Sequence, residues 1–237
     1  MKQDKMWDYL QNDASESFLG NHGRLRYVKK YLNVQKNDKV LTIGPGDFYL
    51  EEKLLESGVD LFCLDPSENS IKKAKEEYRL EEKAKVGYSQ NIPFGDQVFD
   101  YVVMSEVLEH LDDEVRAKTI SEVSRVLKEK GVFVGTVPFK ENLSSSVAVC
   151  PNCTEVFHRV GHLKSFDERV LSDQLQSKFT KNEIKVRYLP NWRILNIRGR
   201  IIAFIKASMA IIGMPGAKCN LIFKSTKLDT INGLDEK

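Results

Sequence analysis

Two stretches decide how this sequence folds: Val40-Leu41-Thr42-Ile43-Gly44-Pro45-Gly46-Asp47, and Leu61-Phe62-Cys63-Leu64-Asp65 a little further on. Each is a short apolar run that stops at a turn residue or an acid, the pattern of a strand buried on both faces. Tyr49 to Ser57 between them has helical spacing, so the three segments make a strand, helix, strand unit.

Working outward, the alternation continues with a helix over Glu68 to Tyr78, a strand near Lys85 to Tyr88 and a strand over Phe99 to Met104. A helix from Asp112 to Lys128 follows, with Ile120, Val123 and Leu127 on one face, and then a strand VFVGTV at 132–137. Repeated β-α-β-α predicts an α/β fold with a mainly parallel sheet covered by helices on both faces. After Pro138 the rhythm breaks. A loop with Cys150, Cys153, His158 and His162 leads to a helix bearing Leu171, Leu175 and Phe179 and to a strand Ile184 to Leu189. A helical run over 193–213 and a last strand over 219–227 complete the pattern. Residues 1–37 read as a polar helical leader or lid, with Leu25, Val28 and Leu32 at helical spacing, and the tail after Leu228 reads as frayed.

The Gly44-Pro45-Gly46 loop lies where the first strand meets the first helix, the place at which an open parallel sheet binds ligands. Glycines there let the backbone approach a ligand, although a glycine pair alone also suits an ordinary tight turn. A dinucleotide fingerprint needs a third glycine at position 49, which is Tyr49, so a nicotinamide dinucleotide is disfavoured. Asp65, at the end of the next strand, is placed to accept hydrogen bonds from ribose hydroxyls and favours a nucleoside ligand. The plainer reading of Asp65-Pro66-Ser67 is a turn with Ser67 as helix N-cap.

VLTIGPGD, LFCLDPS, NIPFGDQVFDYVVMSEVLEHL and VFVGTVPF, in that order over residues 38–139, resemble the class I S-adenosylmethionine-dependent methyltransferases of the type 11 kind. The resemblance implies a Rossmann-like, seven-stranded, mostly parallel sheet with an antiparallel last strand, and S-adenosylmethionine as cofactor. Carried over by position, Gly44, Gly46 and Asp47 would pass beneath the methionine part, Asp65 would hold the ribose, and Asn91 and Ile92 would lie beside the adenine. Ser105 and Glu106 would border the methyl donor. Three positions depart from the family pattern: Thr42 where an acid is usual, Phe48 where a third small residue is usual, and Tyr88 where an acid commonly stands near the adenine. Glu106, Glu109 and His110 are candidates for a general base by location, and His110 reads equally as a helix-entry or core histidine.

The organisation that follows is a helical lid at 1–37, a cofactor-binding core at 38–139, a Cys/His loop and helix at 140–183, and C-terminal strands with an inserted amphipathic helix at 184–228. Cys150-x2-Cys153-x4-His158-x3-His162 offers thiolates and imidazoles at spacings that suit tetrahedral zinc. The alternatives are a metal-free loop in which the histidines pack, or histidines facing the acceptor with His158 as a catalytic base. Segments similar to CPxC, FHxxGH and SF occur in methyltransferases of this type.

The apolar stripe Ile194, Ile197, Ile201, Ile205, Met209 and Ile212, interleaved with Arg198, Arg200 and Lys206, reads as core-facing, with peripheral membrane contact or a cover over the acceptor pocket as alternatives. It falls short of the roughly 20 apolar residues of a spanning helix. Lys and Arg number 36 against 34 Asp and Glu, so no large basic field points to nucleic acid. With no apolar leader at the start, the four cysteines suggest a reducing, cytoplasmic setting. The expected function is methyl transfer to the oxygen or nitrogen of a small-molecule, glycan-type or amphiphilic acceptor. The competing expectation is a non-catalytic binding module whose zinc loop recruits a partner.

Overall fold

The computed structural model describes residues 22–214 and 218–228. The expectations for residues 1–21 and for the tail after position 228 fall outside the described residues. The chain begins with α1 (His22–Leu32) and then alternates β1 (Lys39–Ile43), α2 (Tyr49–Leu55), β2 (Asp60–Asp65), α3 (Glu68–Glu76) and β3 (Ala84–Val86). Next come β4 (Phe99–Ser105), a 3-10 turn at Leu108–His110, α4 (Asp113–Val126) and β5 (Leu127–Pro138). A hairpin of β6 (Val147–Val149) and β7 (Val156–His158) precedes α5 (Glu168–Leu175), β8 (Phe179–Arg187), α6 (Ile197–Ile211) and β9 (Asn220–Lys227).

Seven strands form one sheet in the order β3-β2-β1-β4-β5-β9-β8. β1, β2, β3, β4 and β5 pair in parallel, while β9 runs antiparallel to both β5 and β8. This is the Rossmann-like sheet with an antiparallel last strand. The two faces can be read residue by residue, because alternate side chains on a strand point to opposite sides. Leu41, Val102, Met104, Phe133, Leu221 and Phe223 join α4 (Ile120, Val123, Val126) and α5 (Leu171, Leu175) in one core. Val40, Val103, Val134 and Ile222 join α1 (Val28, Leu32), α2 (Leu50, Leu54) and α3 (Ile71, Ala74) in the other. With both faces covered, the strands are close to continuously apolar, which is why they were visible as runs rather than as alternation.

The structure corrects several sequence expectations. Phe179 opens β8 instead of continuing the helix of Leu171 and Leu175. Residues 147–158 form the β6-β7 hairpin, so the segment from Cys150 to His162 holds the hairpin's tip and β7 and is not irregular throughout. α6 starts only at Ile197, because the Asn196 side chain accepts from the Gly199 N–H at 2.8 Å and caps it there. The largest correction concerns its apolar stripe. Ile197, Ile201 and Ile205 are 77%, 57% and 51% exposed and Phe204 is 67% exposed, whereas Ala203 and Ala210 are the buried positions. The small residues seat the helix, and the isoleucines face outward. Among the described residues no helix is long and apolar enough to cross a membrane.

Candidate active site

β1 and β2 end side by side, and the Gly44 N–H donates to the Leu64 carbonyl at 3.0 Å, which fixes the glycine loop next to the end of β2. Gly44 and Gly46 both adopt left-handed backbone, φ 73° and 63°, a conformation that favours glycine. A Cβ at Gly44 would also come to 3.0 Å from Val107 Cγ2, so Val107, two residues past β4, closes one side of the loop. Phe48 is left-handed too, φ 69°, and begins α2. Its ring is fully buried and stacks on Tyr78 at 4.9 Å. The large residue at that family position therefore turns into the core and leaves the ligand side of the loop open.

Asp65 is 2% exposed, and its Oδ1 accepts from the Ser67 N–H at 2.8 Å. Asp47 accepts from His22 Nε2 at 2.7 Å and from the Tyr49 N–H at 3.2 Å. Asn91 is exposed and Ile92 buried, in a loop pinned from α4: Glu122 accepts from the Ile92 N–H at 2.8 Å, and Arg125 donates to the Ile92 carbonyl at 2.9 Å. Ser105 Oγ lies 2.9 Å from Thr136 Oγ1. Gly44, Gly46, Asp47, Asp65, Ile92 and Ser105 thus all sit at the carboxyl ends of β1, β2, β3 and β4 or in the loops that follow them, one edge of the sheet.

Glu51, from the first turn of α2, is 1% exposed, and its Oε2 has no hydrogen-bond partner. Burial, with smaller contributions from Asp47 and Asp65, pushes its carboxyl up to about 8.

α1 lies across this edge. His22 stacks on Tyr49 at 3.9 Å, Arg24 donates to Ser105 Oγ at 3.3 Å and stands 3.5 Å from Glu106, and Arg26 donates to Asn191 Oδ1 at 2.7 Å. Glu106 itself has φ 58°, and both of its oxygens accept from Asn220 Nδ2, at 3.0 and 3.1 Å. The sequence marks Arg24 only as part of a basic helix face with Arg26, Lys29 and Lys30, and Asn220 only as the start of the last strand; both reach Glu106 from elements far away in the chain.

His110 stands in the same loop after β4, four residues beyond Glu106, and His158 in the segment after β5. His110 Nδ1 lies 3.2 Å from the Gly161 carbonyl, and burial, with the His162 imidazole second, pushes it down to about 3. The His158 side chain is 6% exposed, stacks on His162 at 4.8 Å and accepts the His162 N–H at Nδ1, 3.1 Å. Glu109, next to His110, is fully buried, and burial raises its carboxyl well above the usual range.

Cys150 and Cys153 sit at the tip of the β6-β7 hairpin, where the Cys150 N–H donates to the Glu155 carbonyl at 2.9 Å, while His158 pairs with Val147 at its base. Three residues of strand separate them, about 10 Å. The structure does not bring the two thiols and the two imidazoles of the expected zinc set to one point. Among the described residues the groups with donor atoms within 4.8 Å are Glu109 with His110 and His162, and Glu141 with His158 and His162.

Comparison with known proteins agrees with this architecture. Residues 41–135 match the family described as Methyltransferase domain. An uncharacterised methyltransferase of Geobacillus sp. is 29% identical over 63% of this chain and 70% of its own length. An uncharacterised protein of Methanocaldococcus jannaschii is 30% identical over 67% of this chain and 64% of its own. A demethylmenaquinone methyltransferase of Staphylococcus epidermidis is 32% identical, but the match covers only 46% of each chain. Among solved structures, the complex of the Haloferax volcanii Trm112 methyltransferase activator with a methyltransferase contains a chain that matches with TM-score 0.67 and 16% identity, covering 93% of this chain and 96% of that one. The 1,6-didemethyltoxoflavin-N1-methyltransferase of Burkholderia thailandensis, solved with 1,6-didemethyltoxoflavin and S-adenosylhomocysteine, matches with TM-score 0.62 and 15% identity, covering 93% and 84%. Residues 41–135 thus match a methyltransferase-domain family, and the strand order is the Rossmann-like fold of solved S-adenosylmethionine-dependent methyltransferases.

Proposed function

We propose that this chain is an S-adenosylmethionine-dependent methyltransferase acting on a small-molecule acceptor of amphiphilic character. The observation that carries the cofactor assignment is the pairing of a left-handed glycine loop with a buried aspartate at the ends of two adjacent strands. Gly44 and Gly46 would run beneath the amino-acid end, Asp65 would accept from the ribose hydroxyls, and Asn91 and Ile92 would border the adenine. Bound S-adenosylmethionine would supply an activated sulfonium methyl, so the chain's own task is chiefly alignment and exclusion of water. α1 covers the edge, and Arg24 ties it to Ser105 and Glu106.

Glu106 is the residue we assign to accept a proton from the acceptor, since it follows Ser105 directly at the end of β4. His110, in the same loop, and His158, after β5, are the alternative bases. The names of the similar proteins support the activity class, and the outward-facing isoleucines of α6 support an acceptor with an apolar portion. Incubation with labelled S-adenosylmethionine and a panel of hydrophobic phenols, quinols and amines tests the reading. Transfer to at least one is expected, with Glu106→Gln lowering turnover while cofactor affinity stays within a few fold. Failure of S-adenosylhomocysteine to bind would leave the non-catalytic reading in its place.

A further inference from the structure

Glu109 presents an unusual situation. It is fully buried, and neither of its carboxylate oxygens has a hydrogen-bond partner. A buried carboxylate without donors is unfavourable unless it is neutralised, by a proton or by a cation. The main chain holds it firmly in place: the Glu109 carbonyl accepts the Leu163 N–H at 2.8 Å and the Lys164 N–H at 3.2 Å. Those bonds dock the Gly161-His162 segment against the Leu108–His110 turn and bring His162 Nε2 to 3.9 Å from Glu109 Oε1.

The His162 imidazole is held from behind as metal ligands are. His162 Nδ1 is hydrogen-bonded to the Glu141 carboxylate, and His110 Nδ1 to the Gly161 carbonyl. A carboxylate on Nδ1 fixes the His162 tautomer and leaves its Nε2, on the Glu109 side, for an ion. Glu109, His110 and His162 offer three donor atoms within 4.8 Å of one another. Ligand atoms about 2.0 to 2.2 Å from a common ion lie about 3 to 4 Å apart, so the cluster closes on a cation with only small movements.

We propose that Glu109, His110 and His162 form a two-histidine, one-carboxylate site for a single divalent cation of the zinc class, with Glu141 as the positioning residue behind His162. Three protein ligands leave one coordination position for water or for an acceptor oxygen. The site differs from the set expected from the Cys/His spacing: it shares only His162 with it and uses no thiol. His158, whose Nδ1 already accepts the His162 N–H, packs beside the site and is not a ligand. The proposal does not depend on methyl transfer, and its test needs neither cofactor nor acceptor.

The untagged full-length chain is stripped with chelator, titrated with Zn2+ by calorimetry, and separately loaded with Co2+ for absorption spectroscopy. One ion per chain is expected, with a Co2+ spectrum lacking thiolate charge-transfer bands. The Cys150→Ser, Cys153→Ser double variant should bind as the wild type does. Glu109→Gln and His162→Ala should weaken Zn2+ by about 100-fold or more, and Glu141→Gln by about 10- to 100-fold. Circular dichroism and S-adenosylhomocysteine binding report whether each variant has folded, and a zinc-dependent rise in Tm that is present in wild type and absent in a folded His162→Asn protein gives a second readout. Absence of binding at millimolar Zn2+, thiolate bands in the Co2+ spectrum, or loss of the ion in the cysteine double variant would each overturn the proposal.

Discussion

Replacing Glu51 by glutamine should change how stability depends on pH. The carboxyl is buried, its Oε2 has no partner, and burial lifts its pKa from 4.5 to about 8. Between those two values the native state holds a proton that the unfolded chain has released, so stability is highest below about pH 4.5 and falls as pH rises, levelling off only above about pH 8. At about 1.4 kcal/mol per pH unit the full effect is about 3 to 5 kcal/mol, which for a chain of this size is a fall in Tm of about 6 to 20 °C. Glu51→Gln has the size of the protonated acid and no charge to bury. Thermal or urea unfolding of both proteins from about pH 5 to pH 9 should show similar stability at the acid end and a growing advantage for the variant toward the alkaline end. Other titrating groups are common to both proteins and cancel in the difference. Parallel pH profiles would refute the reasoning and mean that Glu51 is ionised and compensated in the native state.

Asp65→Asn keeps an oxygen for the Ser67 N–H but removes the charge, and should weaken S-adenosylhomocysteine by about 1.5 to 3 kcal/mol in calorimetry, with little change in Tm. Gly135→Ala should be among the most damaging single substitutions, because the new Cβ would meet the Met104 carbonyl oxygen at 2.3 Å and Phe223 Cζ at 2.5 Å. A loss of about 3 kcal/mol, or about 6 to 12 °C in Tm, is expected by calorimetric scanning. Ile201→Asp together with Phe204→Asp should shift Tm by no more than about 2 °C, since both side chains are more than half exposed. A loss of the size seen for core residues in that double variant would restore the core-facing reading of α6.

The sheet was legible because its strands are buried on both faces and so appear as apolar runs between glycines and acids. The placement of Gly44, Gly46 and Asp65 was legible for a related reason: strand ends can be located from the runs themselves. α6 misled because a helical stripe of isoleucines normally marks the buried face, while here Ala203 and Ala210 let the helix sit close through its small side. The cysteines and histidines misled because spacing in the chain does not show where a hairpin will intervene, and β6 and β7 carry the Cys150–Cys153 tip away from His158 and His162. The contacts of Arg24, Asn220 and Glu141 were illegible for want of any local signal. Each meets its partner only through tertiary packing, Asn220 reaching Glu106 across 114 positions of sequence.

The central claim is that the edge built from Gly44, Gly46 and Asp65 holds S-adenosylmethionine, and calorimetric titration of the wild-type chain with S-adenosylhomocysteine tests it most directly. One binding event per chain in the micromolar range is expected, abolished by Gly46→Val, whose branched side chain would occupy the loop at φ 63°. No heat of binding at millimolar ligand from folded wild-type protein would contradict the account and leave a methyltransferase fold without its cofactor.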